Sequence, residues 1–184
     1  MALAIKITKG DLGMDRIFSV LEGALIRTSF KSNKDLADTT GGGTEPLVLL
    51  GHANSVNFVV NCSGYSEYMS GEDVAKDLVQ RRNLKPVTFG FALLAGCKGA
   101  EQSKRGGLFV AVGNVLGIPV LGSTTVVSMG KSGSNVTFTP QDKGVWKVYV
   151  PTEKTVYRLD AERFSGDGGF KQKLAKVYIV LKDK

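Results

Sequence analysis

Apolar and polar positions along this chain follow two β-type patterns before any helical one appears. Residues Ala2 to Thr8 (ALAIKIT) alternate in the manner of a half-buried strand, and Lys9-Gly10-Asp11 bounds them. Pro46 to Asn57 (PLVLLGHANSVN) opens instead on an unbroken apolar run, Leu47 to Leu50, the pattern of a strand buried on both faces. Gly51 and His52 stand where that strand would end. A second run, within Pro86 to Ala100 (PVTFGFALLAGCKGA), finishes the same way in Gly96-Cys97. Between Ile17 and Phe30, Gly23 interrupts the pattern. The segment reads either as a short helix interrupted at Gly23 or as two β pieces joined by a turn at Glu22-Gly23, and the cost of a glycine inside a helix, about 1 kcal/mol relative to alanine, favours the strands.

The helical period enters at Ser70. Ser70 followed by Glu72-Asp73 makes an N-cap with first-turn acids, Val74, Ala75, Leu78 and Val79 fall on one helical face, and Pro86 stops the helix. Strand, helix and strand from Pro46 to Gly96 therefore form one crossover unit with parallel strands. Val56 to Asn61 reads as a short strand or bend, and Cys62 to Tyr68 as a loop. Lys98 to Gly107 is a polar loop, Leu108 to Leu116 a helix tolerating Gly113, and Ile118 to Val127 a third buried strand. Short β pieces follow at Val136–Phe138, Trp146–Val150 and Thr155–Leu159, with a last apolar stretch at Val177–Leu181. The expected fold class is α/β, a mainly parallel central sheet flanked by helices, in one domain. Its core spans residues 46–129 and a β-rich part spans 130–184.

Composition narrows the chemistry. At 184 residues, with 42% hydrophobic and 22% charged residues, the chain is long enough to bury a core without staples. Twenty-four Lys+Arg against 17 Asp+Glu give +7, but the basic residues are scattered except at Lys171 to Lys184, which leaves nucleic-acid binding a minor reading. Two cysteines, Cys62 and Cys97, make no disulfide framework and read as free thiols in a reducing compartment. One histidine with two cysteines does not complete a closed tetrahedral zinc site, so neither a metal nor a cofactor is expected. No apolar stretch reaches the roughly 20 residues of a membrane helix, and the N-terminal residues carry no basic region followed by a long apolar one. The expected location is the cytoplasm, or outside after export without a cleavable signal.

His52 is the only imidazole. Acid–base work near neutral pH therefore falls to it, and a thiol whose pKa is ordinarily about 8.5 needs such a neighbour to become a nucleophile at pH 7. Cys97 is the candidate thiol because it follows a strand end, as His52 does. Cys62, in a polar loop, reads as structural, although within reach of the site. The plain alternatives are a histidine satisfied by a backbone carbonyl and a cysteine that is a small buried hydrophobe. Gly41-Gly42-Gly43 lacks the Lys-Ser/Thr of a phosphate loop and reads as a hinge or lid. Side chains around Ser123 to Ser128 are expected to contribute to substrate choice.

The order apolar strand, Gly51-His52, Ser-capped helix, apolar strand, Gly96-Cys97, loop, Leu108–Leu116 helix and Gly117-Ile118-Pro119-Val120 strand resembles the caspase-like cysteine peptidases. Within that group it is most similar to the bacterial CHAT and toxin-autoprocessing branches, over about Pro46 to Met129. The resemblance implies a three-layer sandwich and a His52/Cys97 dyad that cleaves peptide bonds in another protein, as an effector or toxin-type protease, or in the chain itself. It also implies an oxyanion hole made by the N–H groups of Ala53 and Cys97. Ala53 stands where that family usually has glycine, which raises the alternative of an inactive caspase-like scaffold that binds a protein partner. A basic nucleic-acid-binding domain is the weaker alternative. The expected partner is a protein or peptide substrate rather than a membrane.

Overall fold

The computed structural model describes residues 3–20, 26–30, 32, 34–43, 45–101, 106–132 and 135–159. β1 (Leu3–Lys6) precedes α1 (Leu12–Val20) and β2 (Ile26–Ser29); β3 (Pro46–Leu50) is followed by a hairpin of β4 (Asn57–Asn61) and β5 (Glu67–Ser70). Next come α2 (Gly71–Lys76), prolonged by a π turn over Asp77–Arg81, a 3-10 turn at Pro86–Thr88, β6 (Phe91–Ala95), α3 (Leu108–Leu116) and β7 (Val120–Ser123). The last described elements are β8 (Val127–Ser132), β9 (Asn135–Pro140), β10 (Trp146–Val150) and β11 (Thr155–Leu159).

Seven strands form one sheet in the order β11-β10-β7-β6-β3-β1-β2. The five from β7 to β2 are parallel, and β10 and β11 add antiparallel at the β7 edge. All five residues of β3 and all five of β6 are buried, as continuous apolar runs require when a strand is covered on both faces. On one face Leu47, Leu49, Ala92 and Leu94 pack with Val74 and Leu78 below α2 and with Leu108 and Val112 of α3. On the other, Ala4, Val48, Leu50 and Ala95 pack against Met14, Ile17 and Phe18 of α1 and against Phe138 of β9. Helices thus lie on both sides of a mainly parallel sheet.

Ser70 caps α2, its Oγ accepting from Asp73 N at 3.1 Å. Two expectations are corrected. Ile17 to Val20 is the last part of α1 rather than a strand: Asp11 Oδ1 accepts from Met14 N at 2.6 Å, and this cap starts a helix whose apolar side finds the sheet. Glu22-Gly23 lies outside the described residues. Glu67 and Tyr68, read as loop, belong to β5. Within the expected β-rich part, Trp146–Val150 hydrogen-bonds to β7 and so belongs to the central sheet. The stretch Val177–Leu181 and the basic Lys171–Lys184 also lie outside the described residues. Among the described residues no helix is long and apolar enough to cross a membrane.

Leu49 sits at the centre of this arrangement, fully buried between strands on both sides. Leu49→Ala is expected to lower the unfolding free energy by about 2–5 kcal/mol, read as a shift of the urea midpoint with an unchanged slope.

Candidate functional site

The parallel strands of the sheet switch direction of progress at one place. From β1 the chain goes first to β2 on one side and then to β3, β6 and β7 on the other. In open α/β sheets the crevice outside the carboxyl ends of the strands at such a point is where ligands bind. The segment after β1 brings Asp11 there, and the segment after β3 brings His52.

A single buried hydroxyl fixes the backbone of His52. Thr8 Oγ1 accepts from His52 N at 2.8 Å and donates to Val59 O at 2.6 Å, while Val59 N donates to His52 O at 2.9 Å. Thr8 is 1% exposed, so these bonds are made away from water. His52 Nε2 lies 2.9 Å from Asp11 Oδ2. Hydrogen bonds from Met14 N and from His52 hold the Asp11 carboxyl below its ordinary range, against the opposing effect of burial. An ionised carboxylate only accepts, so the proton of this bond resides on Nε2, and the neutral ring keeps its lone pair on Nδ1.

Cys97 follows the neighbouring strand at the same level. β3 and β6 pair with Leu50 opposite Ala95, so Gly51-His52 and Gly96-Cys97 leave the sheet side by side. The two exits touch: a Cβ built on Gly96 would stand 2.4 Å from Gly51 O and 3.3 Å from the Ala53 Cβ, so only glycine fits. Both Cys97 and His52 are half-buried. Among the described residues the imidazole makes its hydrogen bond with Asp11, and none joins it to the Cys97 thiol.

The turn after Cys97 is anchored by Lys98 N to Thr125 O at 3.0 Å, Ala100 N to Ser123 O at 2.9 Å and Phe109 N to Gly99 O at 3.0 Å. The segment Ser123 to Ser128 therefore borders the Cys97 turn, with Thr124 and Thr125 half-buried beside it. Ala53 is not among the residues with positive φ, so an alanine there carries no left-handed backbone penalty. Neither the Ala53 nor the Cys97 N–H donates to another group among the described residues.

Two residues join the site that sequence reasoning did not put there. Asp11 reads as a strand-bounding polar residue, and only its position at the start of α1 turns it toward His52. Cys62, read as a loop thiol, lies at the end of β4, where Cys62 N donates to Lys9 O at 2.8 Å. Its Sγ, a ring nitrogen of His52 and a carboxylate oxygen of Asp11 all lie within 4.8 Å of one another. Burial first, and the negative Asp11 second, push the Cys62 thiol up from its ordinary value, which keeps it protonated and weakly nucleophilic. The sequence expectation was that no metal binds; the structure nevertheless brings these three donor-bearing side chains together. Gly41–Gly43 is not a lid over this crevice: Gly43 N donates to Thr88 O at 2.7 Å, at the opposite end of the sheet, before β6 begins.

No protein-family model matches the chain, and comparison with curated proteins finds no match.

The hydrogen bonds to the Asp11 carboxylate, from Met14 N first and from His52 second, generate a pH prediction. Because the folded pKa of Asp11 lies below its ordinary value of 3.8, its contribution is fully present above that value and is lost as pH falls through the folded one. Urea midpoints measured downward from pH 7 are expected to fall more steeply below about pH 4 in the native chain than in Asp11→Asn. Parallel curves would show that the Asp11 hydrogen bonds do not contribute. Thr8→Val, which leaves His52 N–H and Val59 O without their partner, is expected to cost about 1–3 kcal/mol in the same measurement.

Proposed function

We propose that this chain is a cysteine peptidase in which Cys97 is the nucleophile, His52 the acid–base group and Asp11 the residue that positions the imidazole. The observation that carries this reading is the register of β3 against β6, which gives the only histidine and a half-buried thiol neighbouring exits at one sheet edge. The motif order resembling the caspase-like peptidases points the same way.

The chemistry follows from where the protons are. With Nε2–H held by Asp11, Nδ1 is the free base; it takes the Cys97 thiol proton, and the thiolate attacks the carbonyl carbon of the scissile bond. The oxygen of the tetrahedral intermediate draws on the uncommitted N–H groups of Ala53 and Cys97, each contributing on the order of 3 kcal/mol to the barrier. Nδ1–H then protonates the leaving amine. Water, deprotonated by the same nitrogen, releases the acyl group and restores the thiol. His52 and Cys97 share no hydrogen bond in the free chain, and such bonds commonly tighten only when substrate is bound. The expected substrate is a protein or peptide, with the chain's own loop after Cys97 as one target, and Thr124 and Thr125 are placed to contact it.

Ala53 was the residue that favoured an inactive scaffold. Its φ is not positive, so that ground for the scaffold reading falls away, while the absence of a His52–Cys97 hydrogen bond among the described residues is the observation that still favours it.

Alkylation by iodoacetamide, followed by peptide mapping, tests the assignment. Cys97 is expected to react faster than Cys62, and His52→Ala to slow Cys97 by about 100-fold or more. Peptide cleavage is expected to fall to background in Cys97→Ala. Equal, slow labelling of both thiols, indifferent to His52→Ala, would overturn the proposal.

A further inference from the structure

Asp11, His52 and Cys62 form a donor set that peptide hydrolysis uses only in part. Their three donor atoms lie within 4.8 Å of one another. Tetrahedral zinc, with Zn–S about 2.3 Å and Zn–N and Zn–O about 2.0–2.2 Å, brings its ligand atoms to roughly 3.5 Å apart, so side-chain rotation without refolding closes the set. We infer that this cluster is an open zinc site with water in the fourth position, and that the bound ion switches off the His52/Cys97 pair.

Several features besides proximity point to a cation. The cluster occupies the crevice at the switch of strand order, the place where such sheets take ligands. Among the described residues the Asp11 carboxylate makes no ion pair with a lysine or arginine; its side-chain partner is the His52 ring, by a hydrogen bond. The backbones that carry the donors are tied to one another: Lys9 N donates to Val60 O at 3.0 Å, Cys62 N to Lys9 O at 2.8 Å and His52 N to Thr8 Oγ1 at 2.8 Å. Gly10, at φ +80°, lets the β1 exit press against Ser63, whose Oγ would be 2.0 Å from any Cβ there. Such cross-ties hold the donors in place before a metal arrives. All three residues are half-buried, so none of them is sealed from solvent. A thiolate with an imidazole and a carboxylate selects zinc over magnesium or calcium, whose preferred ligands are oxygens alone.

The switch is a matter of tautomers. Zinc takes the Nε2 lone pair, so the single N–H proton of the neutral ring moves from Nε2 to Nδ1. That nitrogen no longer accepts the Cys97 proton. Coordination by Cys62 needs the thiolate, and its proton is released to solvent. The regulatory role rests on the peptidase reading; the metal site itself does not.

Cobalt(II), titrated into the full, reduced chain, supplies the test. The expected result is a sulfur-to-cobalt charge-transfer band that saturates stoichiometrically, is displaced by zinc, persists in Cys97→Ala and disappears in Cys62→Ser. Asp11→Asn, which keeps an oxygen for the helix cap, is expected to weaken binding by about tenfold or more. No band in the native chain, or one that survives Cys62→Ser and vanishes in Cys97→Ala, overturns the site. Zinc is expected to slow alkylation of Cys97 at least about tenfold in the native chain and to have no effect on that rate in Cys62→Ser; a bound ion that leaves the rate unchanged overturns the switch. A cobalt band together with slow Cys97 alkylation in the metal-free chain would sink the dyad and keep the metal site. Fast alkylation without a band would do the reverse.

Discussion

The parallel hydrogen-bond ladder between β3 and β6 is the constraint on which the rest of the site depends. A parallel ladder fixes not only which strands are neighbours but where each one stops, and Leu50 opposite Ala95 makes the two stop together. Side-chain period in a strand is two, so a slip of one residue would turn every buried side chain of β3 toward the other face. Apolar packing on both faces of β3 and β6 therefore holds the register, and the register holds His52 and Cys97 level. Gly96 belongs to the same constraint, because its missing side chain lets the two exits touch.

Electrostatics around the imidazole follow from the strand next door. β1 pairs with β3 on its other side, and the chain leaving β1 supplies both Thr8, which fixes the His52 backbone, and Asp11, which fixes the ring. Asp11 is also the cap of α1, so helix start and histidine orientation share one carboxylate. This sharing explains why Nδ1 is the free base. It explains too why Cys62, near the same negative charge, is a poor nucleophile but a reasonable metal ligand: a cation reverses the sign of what Asp11 does to a thiol.

The two proposals thus place opposite demands on one imidazole. Peptide cleavage needs Nε2 protonated and Nδ1 free, whereas metal coordination at Nε2 needs the reverse. The half-buried position of His52 between Asp11, Cys62 and the exit of β6 suits it to either state.

Much of the fold was legible in the residue pattern. Continuous apolar runs marked β3 and β6 because strands covered on both faces have no polar alternation, and Ser70 with Glu72-Asp73 marked the start of α2 because a helix N-terminus needs an acceptor and tolerates acids. The end of α1 was misread, since a segment with Gly23 in it has two local solutions and only the Asp11 cap and the sheet beneath Met14 and Phe18 choose between them. Likewise the sequence pointed to His52 and Cys97, whose strand-end positions are local properties. It was silent on Asp11, which comes to His52 from 41 positions before it, and it placed Cys62, directly after β4, within reach of the site but gave it no role there. Local patterning, then, determines which residues end buried strands, because burial and period act over a few neighbours. Which side chains meet beyond those ends was decided only by strand order and by the hydrogen bonds between loops, which the chain acquires when it closes on itself.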